Sequence, residues 1–285
     1  MKEPLSAFVC QRFPGGLRIW STGPFELTPR IQQLLRHLHE PVEAGIETLK
    51  RSERRAVLRV NDFSSQHGSL IVKGFPLRKL ESRWKYKKYG LSEFTHYQEA
   101  ARRGIGTPRC HVYFEVRRLG LVAANGVLIE DLAGWTSLAE WAAKEPAGRA
   151  ELLAQAIPLL QRLYDTGVNH IDPSPQNMLL SPSRSALRLI DWQYCSFVAP
   201  RQPVQLLMQA AHFLNYAALS CDSAEGLRWA EQLWSAAAMP AELKRFVEAL
   251  RSVQRLGRLG AKERLALALN TDRSLQLQAA SVPLV

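Results

Sequence analysis

The spacing of apolar and polar residues divides the chain into a strand-rich first part and a helix-rich second part. Pro14-Gly15-Gly16 reads as a turn. Thr28-Pro29 has the form of an N-cap with proline at the first helical position, and Ile31, Leu34, Leu35 and Leu38 follow at helical spacing. Between Gly45 and Phe75 the period changes. Residues 46–49, 56–60 and 69–75 are short β-type runs parted by polar turns, one of them at 64–68. Ser92 is expected to cap a helix carrying Glu93, Phe94, Tyr97, Ala100 and Ala101, which stops at Gly104 and leaves through an extended Gly104–Pro108 segment. Two more strands are expected at 111–118 and 126–130, and a helix from Ser137. Residues 149–166 predict one helix with Leu152, Leu153, Ala156, Leu159, Leu160 and Leu163 inward, kinked at Pro158 and ended by Gly167. Residues 178–180 and 187–190 flank a polar turn and predict a hairpin. Residues 206–269 read as helical, with Phe213, Trp229, Trp234 and Phe246 as core, and the last residues as a loose tail. The fold class expected from this pattern is α+β.

Charge changes the picture more than length does. A chain of 285 residues can bury a full core and suits one two-lobed domain or two small ones. Its formal net charge of +11 predicts attraction to polyanions. The excess is concentrated in residues 78–89, where six basic residues and one acid, Glu81, alternate with Trp84, Tyr86 and Tyr89. Such a run reads as a solvated face, as an interfacial contact with an anionic membrane, or as a single-stranded nucleic-acid contact. The cysteines (Cys10, Cys110, Cys195, Cys221) are scattered without a C-x-x-C pair, which argues against a disulfide framework or zinc site and for a reducing compartment. No apolar run suggests a signal peptide or is long enough to span a bilayer, so a soluble or peripheral protein is expected.

The densest chemistry lies between His170 and Trp192. Asp172 and Asn177 stand five residues apart in a polar loop, and the predicted hairpin returns the chain to Asp191. Two acids and an amide on loops beside short apolar runs suit phosphoryl transfer. Asp172 can accept the proton of an attacking hydroxyl, while Asn177 and Asp191 can hold Mg²⁺ against nucleotide phosphates. A five-residue step lets one tight loop aim both side chains into the same pocket. His170 reads as a structural brace of that loop.

His170-x-Asp172-x-x-x-x-Asn177, a short hairpin and then Asp191-Trp192 resemble the catalytic and metal loops of the protein-kinase-like fold. Trp192-Gln193 is closer to the small-molecule members, the aminoglycoside phosphotransferases and choline kinases, than to the D-F-G of protein kinases. The resemblance covers about residues 45–215. It implies a protein-kinase-like two-lobed fold, with a small β-sheet N-lobe holding one main helix and a mostly helical C-lobe. The boundaries it implies are an N-terminal extension with a helix at 1–44, the N-lobe at 45–130, the C-lobe at 131–275 and a tail at 276–285. It also implies that Lys73 grips the α- and β-phosphates and that Glu93, twenty residues on, orients it, with Glu99 the rival on the same helix. Residues 129–134 then correspond to the hinge, where Glu130 and Leu132 meet the adenine edge. Lys73, Glu93, Asp172, Asn177 and Asp191 are expected to converge on the nucleotide. Two features depart from the pattern. The turn at 50–55 has no glycine, so arginine side chains stand where backbone N–H groups would grip phosphate. Ile171 and Pro173 flank Asp172, where such kinases carry a small or basic residue before it and a leucine after it.

A serine-capped helix followed by Gly104-Ile105-Gly106-Thr107-Pro108, then Glu130-Asp131-Leu132 and the basic balance, resemble the bacterial lipopolysaccharide kinases, which include inner-core heptose and Kdo kinases. That resemblance implies ATP and Mg²⁺ as cofactors and a sugar hydroxyl of the lipopolysaccharide core, on a lipid A-linked acceptor, as substrate. It places the protein in the cytoplasm, peripheral at the anionic inner-membrane surface of a Gram-negative cell, with no nucleic-acid partner. Two alternatives stay open: a kinase of a soluble small molecule or protein, and a catalytically dead kinase-like binding module.

Overall fold

The computed structural model describes residues 5–38, 40, 44–64 and 67–257. Backbone contacts divide the chain into two compact units, Met1–Ala101 with Pro108–Ala133, and Arg102–Thr107 with Gly134–Val285.

The first unit is one antiparallel sheet with helices. Its strands are β1 (Val9–Phe13), β2 (Leu17–Ser21), β3 (Ile46–Arg51), β4 (Ala56–Ser64), β5 (Gly68–Pro76), β6 (Cys110–Arg118) and β7 (Leu121–Glu130), in the order β1-β2-β6-β7-β5-β4-β3. Helix α1 (Pro29–Arg36) lies between β2 and β3, and α2 (Leu80–Trp84) and α3 (Gly90–Arg102) lie between β5 and β6. Strand alternation sorts the side chains onto two faces. Leu58, Val60, Leu70, Val72, Val112, Phe114 and Leu128 form one core with Ile31 and Leu35 of α1 and with Leu38. Tyr113, next along the strand, turns the other way and meets Phe94 of α3 at 6.1 Å between ring centroids. Lys73 stands one residue after Val72 and shares that second face.

Three expectations for this unit are corrected. The segment before residue 45 supplies two strands as well as its helix, so the sheet has seven strands where the pattern showed five. Leu17 and Ile19 are fully buried, and β2 pairs with β6 in the register Leu17↔Val116. The intervening Arg18 and Trp20 hid so short an alternation. Strand β7 begins at Leu121, five residues before the expected start, because it runs the whole length of β6 through two register shifts. Helix α3 begins at Gly90, so Ser92 lies inside it and is not its cap. A tertiary contact sets that start. The Gly90 N–H donates to Asn125 Oδ1 at 3.3 Å, and the Asn125 amide donates to the Tyr86 carbonyl at 2.9 Å.

The second unit carries short strands and most of the helices. In chain order these are β8 (Thr136–Ser137), α4 (Leu138–Lys144), α5 (Arg149–Ala154), α6 (Ile157–Thr166), β9 (Val168–His170), β10 (Met178–Leu180), β11 (Leu187–Leu189), β12 (Cys195–Phe197), α7 (Pro203–Ala217), α8 (Ala224–Ala236) and α9 (Leu243–Arg255). Ser137 caps α4 by accepting the Glu140 N–H at 3.2 Å. The single kinked helix expected over 149–166 is two helices broken at Gln155–Ala156. Pro158 falls in the first turn of α6, where its missing N–H costs no helical bond. Gly167 ends α6 with φ 66°. A Cβ there would strike the Val198 carbonyl, so glycine is required for both conformation and space. The chain passes directly into β9, which pairs with β12 in the register His170↔Cys195, while β10 and β11 form the expected hairpin with Met178↔Leu189. The helical core includes Phe246 and Phe213, the latter stacked on Trp229 at 5.1 Å. Trp234, expected in the core, is only half-buried and donates to the Ala241 carbonyl. The expected helix beyond Gly257 and the tail lie outside the described residues.

Gly90 and Gly126 meet face to face. A Cβ on Gly90 would reach the Gly126 backbone, and one on Gly126 would strike the Lys73 carbonyl and the Phe114 ring. Gly126→Ala is therefore expected to push β7 from β5 and cost about 1–3 kcal/mol by overpacking. Urea unfolding of the two proteins checks this, and an unchanged midpoint would refute the close approach.

Candidate active site

In the first unit Lys73 and Glu93 form a buried ion pair. Lys73 Nζ stands 2.7 Å from Glu93 Oε1, and the residues are 5% and 0% exposed. Strand alternation turns Lys73 to the α3 face, and the Gly90–Gly126 contact presses the start of α3 against β7. Glu93 follows one turn later. Glu93, Tyr97 and Ala100 make the buried row of α3 at positions i, i+4 and i+7. Glu99 stands off that row and is half-buried, which explains why Glu93 meets the lysine. Removing one partner of such a pair leaves an uncompensated buried charge, typically worth about 3–5 kcal/mol.

At the end of β7, Glu130 is tied to Arg109 twice: its N–H donates to the Arg109 carbonyl at 2.8 Å, and its Oε2 accepts the Arg109 N–H at 2.9 Å. Leu132 follows, half-buried, just after the strand. Between them Asp131 pairs with Arg59 at 3.0 Å.

In the second unit the loop after β9 folds around Asn177. Its side-chain amide donates to the Asp172 carbonyl at 3.0 Å, and its N–H donates to the Ser174 carbonyl at 2.9 Å. Its own carbonyl accepts the Ile190 N–H at 3.0 Å. One residue thus ties the Asp172 loop to the residue preceding Asp191. Asp191 has φ 65°, a left-handed conformation that aspartate tolerates better than most side chains. Trp192 is fully buried, donates to the Leu189 carbonyl at 2.9 Å and packs edge-on to His170 at 4.7 Å. His170 is fully buried and its Nδ1 accepts the Asp172 N–H at 3.3 Å. Burial lowers the His170 imidazole to a pKa of about 4, against the opposing charges of Asp191 and Asp172. His170 is therefore neutral at pH 7.

Helix α7 adds a residue the sequence analysis missed. His212 Nε2 lies 2.7 Å from Asp172 Oδ1, with the His212 side chain 4% exposed and that of Asp172 39%. Burial raises the Asp172 carboxyl. The hydrogen bond and charge of His212 oppose it, with help from Ser174 and His170, and the net result is a pKa of about 2. One helical turn before His212, Gln209 donates to the Val168 carbonyl at 3.0 Å and so holds β9. Gln205, Gln209 and His212 form a buried polar row at i, i+4 and i+7 of α7. That row was a readable signal, since polar residues at core spacing need partners.

The oxygen-only pair of Asn177 and Asp191 fits a hard cation such as Mg²⁺, which usually takes one or two carboxylates and fills its shell with water and phosphate oxygens. Asp172 is ionised at neutral pH, held by His212 through Oδ1, and partly exposed.

A family model described as "Lipopolysaccharide kinase (Kdo/WaaP) family" matches residues 52–202, just over half of the chain. No curated protein matches. Among solved structures, "WaaP in complex with acyl carrier protein" is similar with a TM-score of 0.54 at 13% identity, covering 78% of this chain and 88% of that one. The fold is accordingly protein-kinase-like, with an antiparallel-sheet N-terminal region and a helical C-terminal region.

The neutral His170 makes stability depend on pH. Its folded-state pKa lies below the ordinary 6.5, so the unfolded chain binds the extra proton between pH 6.5 and about 4. Its contribution is fully present above pH 6.5 and falls as pH drops toward 4, by about 3 kcal/mol in total. Chemical denaturation of the metal-free protein across that range should show the decline, and His170→Gln should remove this component. A variant with the parent's full pH dependence would refute a neutral buried imidazole.

Proposed function

Because the chain belongs to the lipopolysaccharide kinase (Kdo/WaaP) family, and is thereby a phosphotransferase of lipopolysaccharide, we propose that it uses ATP and Mg²⁺ to phosphorylate a sugar hydroxyl, of heptose or Kdo, on the lipid A-linked inner core. The observation that carries this reading is the Asn177 tie, which joins the Asp172 loop to the Asp191 turn. When bound, ATP supplies the phosphoryl group and Mg²⁺ offsets charge on its phosphates. Lys73, aimed by Glu93, neutralises phosphate charge in the first unit, and Glu130 and Leu132 border the adenine site. Asn177 and Asp191 hold the cation through oxygen atoms. With a carboxyl near pKa 2, Asp172 is a weak base. Its part is to orient the acceptor hydroxyl and take its proton late, and His212 fixes the carboxylate for that task.

The turn at the β3–β4 junction is closed by Ser52, whose N–H donates to the Arg55 carbonyl at 2.8 Å and whose hydroxyl accepts the Arg54 and Arg55 N–H groups. The exposed Arg51 and Arg54 on this turn take the place of a glycine-rich phosphate loop in the proposed site. The buried Lys73–Glu93 pair and the Asn177 tie support an active enzyme over a dead binding module.

The reading also places the protein at the cytoplasmic face of a Gram-negative inner membrane. No helix among the described residues is long and apolar enough to cross a membrane. The support for a peripheral contact is the basic segment, where Trp84 and Leu80 are 75% and 60% exposed beside Lys85, Lys87 and Lys88.

Transfer of labelled γ-phosphate to purified core lipopolysaccharide, followed by location of the new ester, tests this. Asp172→Asn is expected to lower the rate about 10²–10⁴-fold in a folded protein. Asp191→Asn should abolish transfer, Lys73→Ala should weaken nucleotide use, and His212→Gln should fall between the parent and Asp172→Asn. Substantial activity in Asp172→Asn would show its role misassigned. Equal transfer to soluble sugars without lipid would favour a soluble-substrate kinase, and no turnover of ATP on any acceptor would favour a binding module. Replacing Lys85, Lys87 and Lys88 by Glu should release the protein from anionic vesicles, with added salt mimicking the change. Stronger retention by single-stranded DNA or by an acyl carrier protein, the partner in the solved WaaP structure, would move the basic face to that partner.

A further inference from the structure

The first unit contains a cleft of about 240 Å³ lined by four arginines, Arg36, Arg78, Arg83 and Arg118. His37 and Glu40 also line it and pair with each other at 2.6 Å. The rest of the wall is largely apolar, including Leu77 and Val116. Two of the arginines are anchored. Arg36 Nε donates to the Gln32 carbonyl at 3.0 Å, and Arg83 Nε donates to the Leu77 carbonyl at 2.9 Å. Arg78 and Arg118 are exposed, and among the described residues they make no side-chain hydrogen bond or ion pair. Among the described lining residues Glu40 is the one carboxylate and His37 occupies it, so the guanidinium groups of Arg78 and Arg118 stay without an acceptor. Guanidinium forks match a phosphate group in geometry as well as charge.

A second observation points to where that phosphate sits. The three most exposed large apolar residues among those described are Leu119, Trp84 and Leu80, at 102%, 75% and 60%. Each lies within two positions of an arginine that lines this cleft: Leu119 follows Arg118, Trp84 follows Arg83, and Leu80 is two after Arg78. Leu119 also holds φ 50° at the β6–β7 turn, a costly conformation for a leucine. Soluble surfaces scatter such side chains, whereas a bilayer interface buries aromatic and aliphatic side chains beside basic residues.

We infer that this cleft binds the phosphate headgroup of an anionic membrane lipid, with Leu80, Trp84 and Leu119 inserting beside it. This deepens the peripheral-membrane part of the proposed function and rests on it. The site is a fixed phosphate receptor, distinct from the diffuse attraction of the lysines on the same segment. It prefers a phosphomonoester to a phosphodiester, because a terminal phosphate offers more oxygens to the unpaired forks of Arg78 and Arg118 and to the remaining donors of Arg36 and Arg83.

The test measures vesicle binding of the full chain at fixed ionic strength, on phosphatidylcholine vesicles carrying either phosphatidic acid or phosphatidylglycerol at matched surface charge. Arg78→Ala/Arg118→Ala is compared with Lys87→Ala/Lys88→Ala, which removes the same charge outside the cleft. The parent should prefer phosphatidic acid. The arginine pair should lose that preference and bind roughly tenfold more weakly than the lysine pair. Equal losses in the two variants would overturn the receptor while leaving a charged membrane contact standing. No preference of the parent for phosphatidic acid would also overturn it. If inorganic phosphate stabilises the parent but not the arginine variant, and neither binds vesicles, the ligand is a free phosphate and the lipid assignment fails. Phosphoryl transfer to detergent-dispersed lipopolysaccharide should be unchanged in the arginine variant. Failure of the parent in that assay counts against the kinase reading alone, since the vesicle result does not depend on it.

Discussion

The buried pairing of Lys73 with Glu93 constrains the first unit more than any other contact. Two charges removed from water are costly unless they meet at short range, and here they meet at 2.7 Å with almost no exposure. That requires β5 to present an odd position of its alternation to the helix and α3 to approach β7 closely. The approach is possible because two glycines face each other and because Asn125 satisfies both the first N–H of the helix and the chain before it. The seven-stranded sheet supplies the rigid surface on which this pair is held.

The second unit meets the same problem with neutral groups. Its polar loop is braced by a histidine that burial keeps uncharged and by a fully buried tryptophan that packs on it. Helix α7 then brings in Gln209 and His212, the one securing β9 and the other the Asp172 carboxylate. A carboxylate held near pKa 2 abstracts protons poorly. In the proposed reaction that is acceptable, because phosphoryl transfer passes through a loose transition state and depends chiefly on position and electrostatics. His212 then matters for where Asp172 points more than for how basic it is.

The net charge of +11 is also put to particular use. Some cations are spent within the fold, such as Arg59 on Asp131 and Glu47, or Arg149 on Glu225. Others, around the cleft of Arg78 and Arg118, are left available. The proposed membrane contact draws on this second group, and its salt dependence would follow from their exposure.

Much was legible in the residues themselves. Period-2 and period-3.6 spacing marked the helix at Pro29, the strand at 56–60 and the 178–190 hairpin, while β5 was marked by a continuous apolar run, because it is buried on both faces. The spacing of Asp172, Asn177 and Asp191 marked the candidate site, because a single loop and hairpin set their separation locally. The family resemblance came from those same local motifs and agrees with the family match over residues 52–202. What only the tertiary structure decided depends on contacts between distant segments. Strands β1 and β2 join the sheet through pairing with β6, about a hundred residues away. Helix α3 starts at Gly90 because Asn125 caps it from another strand. His212 reaches Asp172 across 40 residues, and the arginines of the cleft come from three separate stretches of the chain. No local period encodes such meetings; they arise only when each unit packs its own distant segments together.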